Sequence, residues 1–154
     1  MIRVQTEDVD IGALVQAAKE PGTGAVVVFD GIVRDDDITE MELEAYGDVA
    51  VAEMEKIGKE ATAQFRLQHV DIIHRIGRLA VGENILIIVV SAGHRPEAYA
   101  GSRYIIEEIK KKSELIQKIP QIKVVIICLG LICFMLLINV NLSSSRIIIQ
   151  KMLL

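Results

Sequence analysis

The chain has 154 residues and a formal net charge of −4 at pH 7, from 17 basic and 21 acidic residues. This length fits one domain of ordinary size, and the acidic balance argues against a broad nucleic-acid-binding surface. With 51% hydrophobic and 25% charged residues, the chain is neither disordered nor collagen-like. These averages conceal an uneven distribution of residue types along the chain.

The last part of the chain differs in composition from the rest. From Val124 to Leu154, 22 of 31 residues are hydrophobic and only Arg146 and Lys151 are charged, which leaves a net charge of −6 in residues 1–123. Both cysteines lie in this tail. Residues 1–123 therefore cannot form a disulfide, a thiolate metal site or a cysteine nucleophile of their own. The start of the sequence lacks a basic segment followed by an apolar core, and the expected location is the cytoplasm.

The hydrophobic pattern predicts strands and helices in an irregular order. Apolar residues return every three or four positions in two long segments, which predicts two helices with one buried face each. Because the elements do not alternate as regular βαβ units, the expected fold class is α+β. The predicted elements, in chain order, are a strand at 2–4, a short helix capped by Asp10, a buried strand from Gly24 that continues to Arg34, a strand at 41–45, a helix from Asp48, strands at 70–76 and 85–90 separated by a glycine-rich turn, and a helix from Pro96.

The segment from Ser91 to Ala98 carries the clearest chemical signal. A strand is expected to end near Val90, and Pro96 suits the first position of the helix that follows. His94 and Arg95 then stand at a helix N-terminus, where unpaired N–H groups and the helix dipole favour an anion. A guanidinium group also donates a fork of hydrogen bonds that fits phosphate or carboxylate. The alternative is a solvated turn that carries two cationic side chains by coincidence.

Further cationic residues stand near the ends of predicted elements. Their convergence on one pocket would indicate an anionic ligand, although basic residues at a helix C-terminus are also favoured by the dipole alone. Three histidines without a cysteine show no metal-ligand spacing, and there is no glycine-rich phosphate loop. The residues concerned are Arg34, His74, Arg75, Arg78 and the run Lys110, Lys111 and Lys112.

Five short motifs occur in a fixed order along the chain: GAVVVFDGIVR at 24–34, LEAY at 43–46, HRIGRL at 74–79, VGE at 81–83 and SAGHRPEAY at 91–99. Together they resemble the large, catalytic subunit of molybdopterin synthase, over about residues 2–112. The resemblance implies an α+β fold with a mixed or antiparallel sheet and two long helices. It also implies a family domain at 1–118 and a hydrophobic tail of uncertain structure at 119–154.

The resemblance implies an enzyme of molybdenum cofactor biosynthesis, a sulfurtransferase. Such an enzyme adds two sulfurs to cyclic pyranopterin monophosphate and so forms the dithiolene of molybdopterin. The sulfur comes from the thiocarboxylated C-terminus of a small ubiquitin-like carrier subunit. The implied assembly is a homodimer with one small subunit at each end, a heterotetramer, with no cofactor and no metal. A domain without cysteine agrees with this chemistry, because its sulfur has to come from a partner.

The same resemblance assigns roles to particular residues. Phe29 and Arg34 are implied pocket residues, and His94 and Arg95 are implied ligands of the substrate phosphate that reach across the dimer. Lys110 matches the first of two essential lysines. An ammonium group there can stabilise a developing oxyanion or hold the carrier through a transient amide.

The family pattern ends directly after Lys110. The family continues with a Pro-aromatic-Trp-Lys-Lys-Glu type of segment, which supplies the second essential lysine, whereas this chain contains no Trp. Ungapped counting places Gln117 at that position and Lys118 beside it, so Lys118 is the candidate second catalytic lysine. The alternative function is that of a catalytically impaired family member that binds the carrier or the substrate.

The tail begins with an uninterrupted apolar run at 124–138. As a helix it would span about 22 Å, less than the ~30 Å hydrocarbon core of a membrane. Three explanations are open, in decreasing order of preference. The first is replacement of the family's C-terminal segment by unrelated sequence, for instance through a reading-frame change. The second is a packed helix, and the third is a membrane anchor that would make the protein a tethered scaffold.

Overall fold

The computed structural model describes residues 1–35, 40–43, 45, 47–116, 122–129, 132–141 and 146–151. The chain divides into two compact units, Met1–Lys112 and Ser113–Leu154. Strands and helices mix in the first unit as the α+β prediction requires. They are β1 (Ile2–Gln5), α1 (Ile11–Ala17), β2 (Ala25–Ile32), β3 (Glu40–Leu43), α2 (Gly47–Phe65), β4 (Leu67–Arg75), β5 (Gly77–Ala80), β6 (Asn84–Ala92) and α3 (Arg95–Ile116), the last of which continues into the second unit.

A mixed four-stranded sheet forms the centre of the first unit, with strand order β1-β4-β6-β2. β1 runs parallel to β4, whereas β6 is antiparallel to both β4 and β2. The β2–β6 register pairs Ala25 with Ala92 at one end and Ile32 with Asn84 at the other. This register fixes where the residues that follow each strand emerge from the sheet.

Helices cover both faces of this sheet. α2 and α3 pack on one face, and the apolar residues between them and the strands are almost fully buried; each of the larger side chains, from valine upwards, contributes about 1.5–3 kcal/mol. α1 covers the other face, and its start is capped by Asp10, whose Oδ1 accepts the Ala13 N–H at 2.9 Å. The principal buried residues under α2 and α3 are Met54, Ile57, Ala61, Ile72, Ile88, Val90, Ala98 and Ile105, and those under α1 are Leu14, Ala18, Ile73, Ile87 and Val89.

One prediction inside the first unit was wrong. The segment at 77–80 was expected to belong to a glycine-rich turn, but it forms β5, which pairs antiparallel with β3 in a separate two-stranded sheet. Met41 lies opposite Leu79 in this pair, and Leu79 is fully buried. A four-residue strand with a single buried apolar side chain leaves almost no alternation for sequence reasoning to detect.

The second unit contains strands instead of the packed helix considered for the tail. β7 (Ile122–Leu129), β8 (Ile132–Asn141) and β9 (Arg146–Lys151) form an antiparallel three-stranded sheet in that order. Runs of isoleucine and valine favour strands over helices because their branched side chains restrict the helical rotamers. Within the described part of the chain, no helix has the length and apolar character needed to cross a membrane.

Candidate functional site

The candidate residues of the first unit lie at two opposite ends of the β2–β6 pair. Arg34 follows β2 at the end where Ile32 pairs with Asn84, and His94 follows β6 at the other end. β2 has eight residues, which at the usual rise correspond to about 26 Å. Arg34 and His94 of one chain are therefore far apart, at opposite ends of the β2–β6 pair.

At the His94 end, glycines allow a close approach of two backbone segments. The Gly24 N–H donates to the Ala92 carbonyl oxygen at 3.0 Å. A Cβ atom added to Gly24 would lie 2.1 Å from the Gly93 carbonyl oxygen, closer than any real contact. The turn that carries His94 into α3 is thus held against the start of β2.

The helix that follows this turn confirms the predicted setting of His94 and Arg95. α3 begins at Arg95, and the Ala98 N–H donates to the His94 carbonyl oxygen at 3.4 Å. Both cationic side chains are exposed at this helix N-terminus. Glu97 in the first turn is half-buried. The arrangement presents a guanidinium, an imidazole and a helix dipole to an anion from solvent or from a partner.

At the Arg34 end, the turn between β5 and β6 holds the backbone. The Val33 N–H donates to the Glu83 carbonyl oxygen at 2.9 Å, and the Gly82 N–H donates to the Val33 carbonyl oxygen at 2.9 Å. Val33 is buried, whereas Arg34 is exposed. These two hydrogen bonds fix the direction in which the chain leaves β2, and hence the position of Arg34.

Phe29 contributes more to packing than to an open pocket. It lies in β2 opposite Ile88 and packs against the core under α2 and α3. Its ring also covers Gly31, since a Cβ there would be 3.1 Å from Phe29 Cε1. Phe29 is only half-buried, so one part of the ring is available to a ligand near the exit of β2.

Lys110 lies near the end of α3, about 22 Å along the helix from Arg95. Lys112, two residues further, forms an ion pair with Glu53 near the start of α2. α2 ends next to β4, whose first residue Leu67 pairs with Ala92, so the start of α2 lies towards the opposite end of the sheet. Lys110 is therefore at the same end as Arg34. Gln117 and Lys118 lie outside the described residues.

Arg75 is not a pocket cation. Only 6% exposed, it donates from Nη1 and Nη2 to Glu83 Oε1 at 3.2 Å each and from Nε to the Thr6 carbonyl oxygen at 3.3 Å. Arg78 is exposed and pairs with Glu42 at 3.6 Å. Sequence reasoning grouped these residues with Arg34 and did not identify Glu83 as the partner of Arg75.

His74, Lys111 and Lys112 also form hydrogen bonds with other groups of the protein. Burial lowers the pKa of His74 below 6.5, while its Nδ1 hydrogen bond to the Arg75 carbonyl oxygen, 2.9 Å long, raises it. A hydrogen bond to Glu108 raises the pKa of Lys111, and one to Glu53 raises the pKa of Lys112. These two lysines are thus engaged by carboxylates of α3 and α2.

Two other features of the described residues bear on ligand binding. No group of three or more His, Cys, Asp or Glu side chains among them is arranged to hold a metal ion. An open groove of about 580 Å³ lies between α2 and β1, lined by residues that include Ile2, Gly58, Thr62 and Val70. None of the candidate residues lines this groove.

Comparisons with known proteins agree with the motifs. The family described as MoaE protein matches residues 4–112. A molybdopterin synthase catalytic subunit from Pyrococcus abyssi is 40% identical over 110 residues, which cover 69% of this chain and 74% of the relative. One from Rhizobium meliloti is 39% identical over 121 residues, 76% of this chain and 78% of the relative.

Solved structures give the same result. The crystal structure of molybdopterin synthase from Staphylococcus aureus has a TM-score of 0.67 at 32% identity and covers 71% of this chain and 82% of that one. The match confirms the mixed α+β fold and the resemblance that the five motifs indicated. The chain belongs to the MoaE family, and both relatives named above are catalytic subunits of molybdopterin synthase, an enzyme of molybdenum cofactor biosynthesis.

Proposed function

We propose that this chain transfers sulfur from a thiocarboxylated carrier subunit to cyclic pyranopterin monophosphate and so forms the dithiolene of molybdopterin. The observation that carries the proposal is the family match over residues 4–112. This range contains Phe29, Arg34, His94, Arg95 and Lys110, all on described elements or directly beside them. The relatives are named as catalytic subunits, and the word subunit implies at least one further chain in the enzyme. We assign the role of this further chain to the small carrier.

A second copy of the chain completes the site in this proposal. Arg34 and Lys110 lie at one end of the sheet, and His94 and Arg95 lie at the other. A substrate the size of a pterin phosphate cannot contact both sets in one chain, because the strand between them is about 26 Å long. A symmetric homodimer in which the Arg34 end of one copy meets the His94 end of the other resolves this separation.

The edge of β2 that faces away from β6 is the surface that suits such a dimer. β2 is the last strand of the four-stranded sheet, and its apolar side chains Val28 and Ile32 are 39% and 50% exposed. Two β2 edges that meet antiparallel would place the start of each strand beside the end of the other. That packing would cover the exposed apolar side chains and form two composite sites.

The proposed chemistry assigns separate tasks to the cationic residues. His94 and Arg95 bind the substrate phosphate from the N-terminus of α3, and Arg34 contacts the substrate from the other copy. Lys110 stabilises the oxyanion that forms when water or a lysine amine attacks the carrier's acyl carbon; the C–S bond then breaks, which leaves the sulfur on the pterin and a carboxylate or an amide on the carrier. Lys118 supplies the second ammonium group, one position after Gln117, which stands at the family's lysine position by ungapped counting.

The experiment combines the purified full-length chain with a thiocarboxylated carrier and cyclic pyranopterin monophosphate, and measures dithiolene product. We expect conversion by the wild-type chain and a loss of about 100-fold or more in Lys110→Ala. Lys118→Ala is expected to lose activity similarly. Gln117→Lys, which places a lysine at the neighbouring family position, is measured beside it for comparison. A stable complex with the carrier that yields no product would contradict the catalytic proposal and favour a binding module.

A further inference from the structure

The turn between β5 and β6 is closed by one carboxylate. Glu83 Oε2 accepts the Ala80 N–H at 2.6 Å, and the Glu83 N–H donates to the Ala80 carbonyl oxygen at 3.1 Å. Gly82 inside this turn has φ of 91°, a conformation that favours glycine. Glu83 therefore fixes the turn through both its side chain and its backbone.

The other carboxylate oxygen of Glu83 faces a buried guanidinium. Arg75 donates to Glu83 Oε1 from both terminal nitrogens and to the Thr6 carbonyl oxygen from Nη2, each at 3.2 Å, and to the Asn84 carbonyl oxygen at 3.3 Å. Its Nη1 also lies 3.5 Å from Asp8 Oδ1. A buried cation needs such a full set of acceptors, because an unpaired charge in this position is strongly unfavourable.

The turn that this pair fixes is the one that holds Val33. The Glu83 carbonyl oxygen accepts the Val33 N–H, and the Gly82 N–H donates to the Val33 carbonyl oxygen, both at 2.9 Å. Val33 is buried and immediately precedes Arg34. A continuous set of contacts thus leads from a buried charge on β4 to the residue after β2.

We propose that Arg75 and Glu83 are positioning residues for Arg34. They fix the backbone of the turn at 80–84, and this turn holds Arg34 in the place where it meets the substrate. The proposal rests on the proposed function, since that assigns Arg34 to the substrate. In this proposal, Arg75 and Glu83 do not touch the substrate themselves. They act by restricting the direction in which the backbone leaves β2, and a small misplacement of a binding group lowers catalysis strongly.

Glu83→Gln tests the proposal with little change in side-chain size. We expect hydrogen exchange at the Val33 and Gly82 amides to accelerate about tenfold, and kcat/KM for the pyranopterin to fall about tenfold. In the double variant with Arg34→Ala, the loss is expected to equal that of Arg34→Ala alone, because both changes act on the same group. Losses that multiply, or unchanged exchange at both amides, would overturn the proposal.

Glu55→Gln is the matched control, since Glu55 forms an ion pair with Lys59 at 3.5 Å on the surface of α2. It should change neither the exchange at Val33 nor the kinetics. Arg75→Lys keeps the charge but loses the guanidinium fork. We expect this variant to show the same faster amide exchange and the same lower kcat/KM as Glu83→Gln. If that variant does not fold, Glu83→Gln still decides, because the Glu83 side chain is 41% exposed. An inactive wild-type chain would contradict the proposed function, and the exchange rates would then decide the positioning role separately.

Discussion

The two ends of the β2–β6 pair hold cationic residues by different physical means. At the His94 end, the missing side chain of Gly24 allows its backbone to lie against that of Gly93, and the Gly24 N–H donates to the Ala92 carbonyl oxygen. At the Arg34 end, side-chain charge fixes a turn, and the N–H of Ala80 and the charge of Arg75 lower the pKa of Glu83. The first end should therefore be sensitive to side-chain volume, and the second to charge and pH.

The largest expected effect tests whether the two ends work together across two chains. Arg34→Ala and His94→Ala homodimers should each be nearly inactive, because every site lacks one group. In a mixed dimer of the two variants, one site carries both substitutions and the other carries none. Random mixing makes half of the dimers mixed, so activity should return to about a quarter of the wild-type value.

Co-refolding of the two variants, followed by the conversion assay, measures this recovery. A mixture of Arg34→Ala with the double variant Arg34→Ala/His94→Ala is the control, since no dimer in it contains an intact site. If the first mixture stays as inactive as the control, the site does not combine residues of two copies, and the proposed dimer is wrong.

A volume change at the His94 end should have the next largest effect. Gly24→Ala places a Cβ atom 2.1 Å from the Gly93 carbonyl oxygen, and backbone cannot move aside as a side chain can. We expect the free energy of unfolding to fall by about 3 kcal/mol in chemical denaturation. Gly101→Ala, whose Cβ would be 2.7 Å from Leu67 Cδ2, should cost less because that side chain can change its rotamer.

Gly47→Ala is the reference for this pair, since an added Cβ there meets no atom of the described residues within 4 Å. It should leave the stability of the protein nearly unchanged. Equal losses in Gly24→Ala and Gly47→Ala would mean that the close approach of Gly24 and Gly93 is not a constraint of the folded protein.

The contrast between the two ends also explains what the sequence could predict. The buried face of α2 was predictable because Ala50, Met54, Ile57 and Ala61 repeat at the helical period, and all four are buried. The position of Arg95 at a helix N-terminus was predictable as well, because a strand is followed within a few residues by a proline. These features depend on neighbours within a few positions of the chain.

The features that sequence reasoning missed depend on distant partners. Arg34 and Arg75 look alike in the sequence, as arginines near strand ends, yet one is exposed and the other is buried against Glu83 and Thr6. Thr6 is separated from Arg75 by 69 positions. No periodicity encodes such a pairing, so the sequence could not show which arginine is exposed and which one is buried.

The smallest expected effect is a pH dependence at the Arg34 end. Burial lowers the pKa of His74 in the folded chain below its ordinary value of 6.5. Between that lowered pKa and 6.5, the unfolded chain binds a proton that the folded chain does not. The free energy of unfolding should therefore be highest above pH 6.5 and fall as the pH decreases through this window, by at most about 1.4 kcal/mol per pH unit.

His74→Gln removes this titration and should flatten the decrease of the free energy of unfolding below pH 6.5. Urea unfolding at a series of pH values measures the slope, and an NMR titration of the imidazole locates the folded pKa directly. A midpoint above 6.5, or an unchanged slope in the variant, would show that burial does not govern this histidine. His74 and Arg75 are neighbours in β4. A midpoint of the imidazole titration below 6.5 would therefore indicate that water is largely excluded from this part of β4, although Arg34 at the same end of the sheet is exposed.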